Sequence, residues 1–333
     1  MRPLRTILHD PAVARDLAGG LDEPPAPHTA ALAAELARVF GPATSAIIHY
    51  GSHAHQSDAR PESAHDFFII VDQYRAAYAS LHASGASTVS PRLASTLAHV
   101  LPPNVVAVAL HAAGRERQAK CAVLSLRHLR LAAAGRTRDH FTQGRLFQHV
   151  QLAWTRSGAD RSEAVAALGE IRARTFAWGR PYLPREFTTD EYCRVLLETS
   201  YSAEVRPEGG ERIGQLLAAQ RRTLVDIYDR LLQTLTAERI LVRDGKVYRQ
   251  IARPGPLERA SVALYFKRSK LRATARWFKY IALFDDWLDY IVLKISRRSG
   301  VSVVLTERER RWPLIFLWPK ALRYLRSRPQ RRA

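Results

Sequence analysis

Uninterrupted apolar runs are short in the first third of the chain. Residues 45–50 (Ser-Ala-Ile-Ile-His-Tyr), 67–71 (Phe-Phe-Ile-Ile-Val) and 105–110 are the clearest, with a weaker one at 120–124. Runs of this length, rich in β-branched and aromatic residues, predict strands of a buried sheet. Ahead of the first run, residues 29–40, stopped by Gly41-Pro42, carry helical spacing, and so do residues 74–84 between the runs. From residue 126 the period lengthens and predicts helices at 127–134, 138–155, 161–178, 189–200 and 211–236. Thr188, with Glu191 three places on, forms a capping box for the fourth of these. Residues 240–251 place Asp244-Gly245 between β-prone flanks, a strong hairpin signal. Helices followed by a hairpin are compatible with a winged-helix arrangement. The expected fold is α+β, divided into a loose Pro/Gly/Asp-rich leader (1–28), a sheet-bearing core (29–125), a helical domain (126–252) and a tail that starts around Pro254-Gly255-Pro256 (253–333).

Composition adds a strong electrostatic constraint. The chain has 333 residues, 47% of them hydrophobic, and a formal net charge of +20. That excludes a disordered polar chain and predicts polyanionic partners: nucleic acid, nucleotide phosphates or anionic lipid. From Arg253 onward 20 Lys/Arg face 6 Asp/Glu, so the tail holds +14 of the +20, interleaved with aromatics. Cys121 and Cys193 have no metal or disulfide spacing and are expected to be buried apolar side chains. No secretory signal or 18-residue apolar span is present, and the best apolar run, residues 312–318, is far too short to cross a bilayer. Membrane contact is therefore expected to be peripheral.

The chemistry-bearing pattern is a strand closing on Tyr50-Gly51-Ser52, then thirteen residues, then Asp66 opening the next strand. In nucleotidyltransferases of the polymerase-β type, a Gly-Ser corner lets backbone approach a triphosphate, and a carboxylate on the neighbouring strand holds Mg²⁺. The usual second carboxylate would fall two residues after Asp66, where this chain has Phe68. Taken singly, the features also suit an ordinary turn and a strand-capping acid. Lys120 and Arg145 alone would be solvated charges, and Glu204 a helix-end acid. Asp72 is placed either to cap the helix near Tyr74 or to add a carboxylate. His49, His53, His55 and His65 crowd this region, but their spacing fits no zinc motif.

In combination the segments resemble the mitochondrial-type phosphatidate cytidylyltransferases, also known as translocator assembly and maintenance proteins. Tyr50-Gly51-Ser52 followed by Asp66-Phe67-Phe68-Ile69-Ile70-Val71-Asp72 is similar to that family's Tyr-Gly-Ser and Asp-Phe-h-h-h-Val-Asp signature, which also lacks the second strand carboxylate. Arg117-Gln118-Ala119-Lys120, Gln143-Gly144-Arg145-Leu146 and residues 200–206 (Ser-Tyr-Ser-Ala-Glu-Val-Arg) follow in the family's order, so the resemblance spans residues 45–235. His53 stands where the family has Gly, which raises the question of the loop conformation there.

The resemblance implies an enzyme that makes CDP-diacylglycerol from CTP and phosphatidic acid with Mg²⁺, and the Ala/Arg-rich composition without a presequence points to a bacterial one. It implies that Gly51 and Ser52 hold the triphosphate, that Lys120 and Arg145 pair with phosphate, and that Asp66 binds metal, with Glu204 as second carboxylate. Ser52, Asp66 and Lys120 would be the catalytic set. The lipid product requires an anionic membrane surface. The basic aromatic tail is expected to serve as its foot through Lys267, Arg268, Lys270, Arg276, Trp277, Trp312 and Trp318, at the cytoplasmic face and with no specific nucleic acid partner. Rival readings are a nucleotidyltransferase acting on RNA, protein or a soluble phosphate, and a degenerate module that only binds nucleic acid or membrane.

Overall fold

A computed structural model describes residues 2–21, 23–54, 64–112, 115–202, 210–283 and 305–311. The fold is α+β. Its centre is a mixed five-stranded sheet in the order β3-β4-β2-β1-β5, formed by β1 (Thr44–Tyr50), β2 (His65–Val71), β3 (Asn104–Ala112), β4 (Arg115–Ser125) and β5 (Gln151–Thr155). β2 is central because it has no polar face to offer water: Phe67 through Val71 are all fully buried. It pairs antiparallel with β1 and parallel with β4, while β3 and β5 close the edges in antiparallel register.

Alternation along the strands decides which helices cover which face. Ile48, Phe68, Ile70, Ala122 and Leu124 join the main core together with Leu129 of α6 (Leu126–Ala133), Leu146 of α7 (Phe141–Leu146) and Leu168 of α8 (Gly158–Ala173). The same core continues into α10 (Thr189–Ser202) and α11 (Gly210–Ala237). α3 (Pro27–Phe40) and α4 (Tyr74–Ala83) pack on β1, β3 and β4, the side of the alternate residues. α5 (Pro91–Val100) lies beside α4 and is tied down where Asn104 Nδ2 donates to the Ala94 carbonyl at 2.8 Å.

A second sheet, in the order β6-β8-β7, joins β6 (Glu186–Thr188) to the hairpin β7 (Leu241–Asp244) and β8 (Val247–Gln250). Gly245 takes φ 57° in its turn, as the Asp-Gly signal requires. The capping box forms as expected: Glu191 accepts from Thr188 N, and Thr188 Oγ1 accepts from Glu191 N. Cys121 and Cys193 are both buried and free.

Four expectations need correction. The leader is not loose: α1 (Leu4–Ile7) buries Ile7, α2 (Pro11–Leu17) buries Leu17, and the turn after α2 buries Leu21. A Cβ on Gly169 would lie 2.0 Å from the Ala14 carbonyl oxygen, so α2 and α8 touch backbone to backbone. The fully buried Arg172 donates to the Leu17 carbonyl at 2.7 Å and the Gly19 carbonyl at 3.3 Å, a bond set that loose chain could not keep. Residues 138–155 are not one helix; α7 ends at Leu146, and residues 151–155 become β5 by pairing along the outer edge of β1. The predicted helix 161–178 breaks at Arg174, after which α9 (Thr175–Gly179) starts a new direction.

The fourth concerns the tail. Met1–Arg276 forms one compact unit and Trp277–Ala333 a second, so the division falls at Arg276/Trp277 and not at residue 253. The first part of α12 (Pro256–Leu283) is docked in unit one. Phe266 is buried against Trp178 and His140. Ser269 Oγ accepts from His140 N at 2.9 Å, and Asp139 receives Arg272 at 3.1 Å and Arg276 at 2.6 Å. In the second unit, the short helix Glu307–Arg311 is capped by Thr306 and Glu309.

Candidate active site

Strand register brings the two central sequence candidates together. Tyr50 is paired with Asp66 across β1 and β2, and Asp66 with Lys120 across β2 and β4. Registered partners point to the same face, so Asp66 and Lys120 stand side by side at one end of the sheet, both half-buried. Gly51 follows Tyr50 at φ 83°, where a side chain is strained, and a Cβ there would fall 2.7 Å from Asp66 Oδ2. The carboxylate thus lies against the bare backbone of the Gly-Ser corner. Ser52 begins a tight turn, closed by Ala54 N donating to the Gly51 carbonyl at 3.0 Å.

His53 fits this turn without strain. Among the described residues Arg239 is the one non-glycine with positive φ, so the position of His53 does not need the glycine that the resembling family has there.

Asp66 suits a cation that arrives with a triphosphate, since Mg²⁺ is commonly held by one or two carboxylates plus phosphate oxygens. Among the described residues no group of three or more His, Cys, Asp or Glu is arranged to hold a metal by itself. Glu204 lies outside the described residues. Asp72 takes neither role expected of it. The residue that caps α4 is Gln73, which makes no side-chain bond, and Asp72 is paired with Arg156 at 2.6 Å at the far end of β2.

Two further segments meet on the same face of the sheet. Phe141, at the start of α7, packs edge-on to Phe68 at 6.2 Å. Gly144 lies so close to α10 that a Cβ would fall 2.4 Å from Ser200 Oγ and 2.9 Å from the His140 ring. The next residue, Arg145, lies over the ring of Tyr201 with its guanidinium carbon 4.9 Å from the centroid. The Arg145 guanidinium thus rests on a flat aromatic platform, a contact that the sequence alone did not assign. The Ser200-Tyr201 pair was its only signal.

Gln143 is structural, donating to the Ala132 carbonyl and Thr137 Oγ1.

On the opposite face the histidines do cluster, as aromatic packing. His53 stacks on His65 at 4.0 Å, and His65 Nδ1 lies 3.4 Å from His49 Nε2. His28 of α3 joins edge-on at 5.8 Å, while His55 lies outside the described residues. Burial pushes His49 down to about 4, with Gln151 opposing, and burial pushes His65 down to about 3, helped by His53 and His49. Both rings are neutral at pH 7, which keeps positive charge out of a closely packed group.

The tail residues divide. Lys267, Arg268 and Lys270 are exposed on α12 as expected. Arg276 is not: its side chain is 4% exposed, paired with Asp139 and donating to the Pro102 carbonyl at 2.9 Å, so it is an internal tie and no head-group contact. The Trp277 side chain, Trp312 and Trp318 lie outside the described residues. Leu257, Leu264 and Leu271 are 87%, 67% and 71% exposed at seven-residue intervals, which puts them in one line along the helix. Among the described residues no helix is long and apolar enough to cross a membrane.

No protein-family model matches this chain, and no curated protein matches it.

Proposed function

We propose that the chain is a Mg²⁺-dependent nucleotidyltransferase that moves a cytidylyl group from CTP to phosphatidic acid at a membrane surface. The observation that carries this reading is the joint placement of Gly51, Asp66 and Lys120: a carboxylate and an ammonium in register, against a glycine corner with no side chain. The sheet and its Gly-Ser corner are read as a nucleotidyltransferase core. The helices followed by the β6-β8-β7 sheet are read as a winged-helix-like domain.

In this reading the Gly51-Ser52 backbone and hydroxyl bind the β- and γ-phosphates, and Lys120 adds a point charge. Arg145, held flat by Tyr201, presents its fork of donors to a phosphate of CTP or of the acceptor. Asp66 would hold Mg²⁺, which when bound neutralises phosphate oxygens. A phosphate oxygen of phosphatidate forms the new bond to the α-phosphorus, the α–β anhydride bond breaks, and pyrophosphate carries the electron pair away. The acceptor oxygen is already anionic, so no general base is required of the protein. The acceptor is membrane-bound, and the line of exposed leucines flanked by Lys267, Arg268 and Lys270 supports a helix face seated in an anionic interface.

The test is to incubate the protein with Mg²⁺, phosphatidate vesicles and each labelled NTP, then extract the lipid. Label entering the lipid phase from CTP, and losing at least 100-fold in rate in Ser52→Ala and Asp66→Asn, is the expected result. Label transferred only to RNA, protein or soluble acceptors would replace the acceptor assignment. Turnover unchanged in both variants would remove the site.

A further inference from the structure

A second polar recess lies at the other end of the central strands. β2 and β4 run parallel, so their C-terminal ends emerge together, five residues beyond Asp66 and Lys120. At about 3.3 Å per residue that is roughly 17 Å from the candidate active site. A cavity of about 260 Å³ opens there, lined from the β2–α4 junction, α4, α5, the end of β4 and the start of α6. We infer that this cavity binds the phosphoryl group of a small soluble phosphate ester, separately from the Gly51–Asp66 corner. The inference does not rest on the cytidylyl-transfer reading.

The charges at this cavity are those an anion needs. Arg75 and Arg127 border it from two different helices, and both are exposed. Among the described residues the acidic lining group is Asp72, and its carboxylate is already engaged by Arg156 at 2.6 Å, so the two lining arginines keep their charge for a ligand. The neutral donors are organised as well. His128 Nδ1 lies 2.9 Å from the Tyr74 hydroxyl and 3.0 Å from Ser125 Oγ, and Ser125 Oγ also accepts from His128 N.

Burial, then His99 and Arg127, hold His128 below its ordinary pKa. In the neutral tautomer whose Nδ1 accepts from one of these two hydroxyls, Nε2–H is left as a donor. His99 packs edge-on to the Tyr74 ring at 4.9 Å and fixes that wall.

The backbone adds to this. α4 starts at the cavity with no side-chain cap on its first amides, so the positive end of a ten-residue helix faces the same space. Two arginines, an oriented imidazole and an uncapped helix start form a set of donors with no carboxylate left to fill it. A lipid head group offers the same phosphate chemistry, and vesicle binding distinguishes that source from a soluble ester.

Glycerol 3-phosphate is a suitable probe, titrated calorimetrically into the full chain. Saturable binding is expected in the wild type, weakened at least tenfold in Arg75→Ala/Arg127→Ala and unchanged in Ser52→Ala/Asp66→Asn. Both arginines are exposed, so the double variant should keep the wild-type melting temperature. Should it not, the ring signals of His128 and His99 in the wild type provide the readout, shifting with ligand while those of His140 stay still. Co-sedimentation with phosphatidate vesicles should be the same in the wild type and the arginine pair. The inference is overturned by no saturable binding, by binding that ignores the arginine pair, by binding lost in Ser52→Ala/Asp66→Asn, or by vesicle binding that depends on Arg75 and Arg127.

Discussion

A Cβ on Gly51 would stand 2.7 Å from Asp66 Oδ2, so the glycine and the carboxylate share one small space at the end of the sheet. Substituting Gly51→Ala sets two penalties together: a side chain at φ 83°, of order 1–3 kcal/mol, and displacement of the carboxylate. The expected result is a modest drop in melting temperature and at least a 30-fold loss in the rate of nucleotidyl transfer. A variant that keeps full activity would mean that Asp66 need not stay where it is.

Gly144→Ala drives a methyl group into Ser200 Oγ and the His140 ring, at 2.4 and 2.9 Å. α7 and α10 must part, which carries Arg145 off the Tyr201 ring. Nucleotide affinity should fall about tenfold and stability by about 1–3 kcal/mol. Adding Ser200→Ala relieves one of the two clashes, so the double variant should recover part of both losses. Purely additive effects would show that the helices are not in contact there.

Asp139 receives two arginines from α12, Arg276 at 2.6 Å and Arg272 at 3.1 Å. Burial acts to raise this carboxyl, but the two arginines outweigh it and hold it below its ordinary value. Asp139→Ala leaves a buried guanidinium without its counter-charge, a change that typically costs about 3–5 kcal/mol. Urea unfolding should show that loss. Amide exchange should rise first along α12, because the ion pair ties this helix to the rest of the unit.

Acid should destabilise the fold through its histidines. Burial pushes His140 down to about 3, with Asp139 opposing and Arg145 adding, and burial pushes His49 down to about 4. The folded state refuses protons that the unfolded chain takes up below about pH 6.5. Stability from these groups is therefore complete above pH 6.5 and falls as the pH drops toward 4, by up to about 1.4 kcal/mol per pH unit for each ring. His140→Gln or His49→Gln should flatten the pH dependence of unfolding in that window, even where the variant is less stable at neutral pH.

The leucine line on α12 can be tested apart from catalysis. Leu257→Gln/Leu264→Gln/Leu271→Gln removes exposed apolar area without opening the core, so the melting temperature should hold. Co-sedimentation with anionic vesicles should fall at least tenfold, while binding of CTP in solution stays constant.

Much of the central sheet was legible because β1 and β2 are buried almost throughout and read as plain apolar runs. The Gly51-Ser52 and Asp66 pairing followed from strand ends, which Gly and a charge mark clearly. What stayed hidden depended on partners distant in sequence. β5 looks like the end of a helix until the open edge of β1 claims it. Arg276 looks like one more basic tail residue until Asp139 and the Pro102 carbonyl, far back in the chain, enclose it. The leader lacks a long periodic stretch, yet a few buried side chains and the Arg172 bonds hold it. Local pattern cannot report a contact made across more than a hundred residues.

The parallel pairing of β2 with β4 has a consequence for how the site could change over time. Phe68 opposite Ala122 and Ile70 opposite Leu124 lock the two strands in step, and Asp66 and Lys120 are carried along by that lock. Sliding either strand by one place would carry its charge to the other face and set every side chain of a strand buried on both faces against the wrong neighbours. The two charged positions can therefore be refilled with other side chains, but their spacing cannot be retuned without rebuilding the centre of the protein.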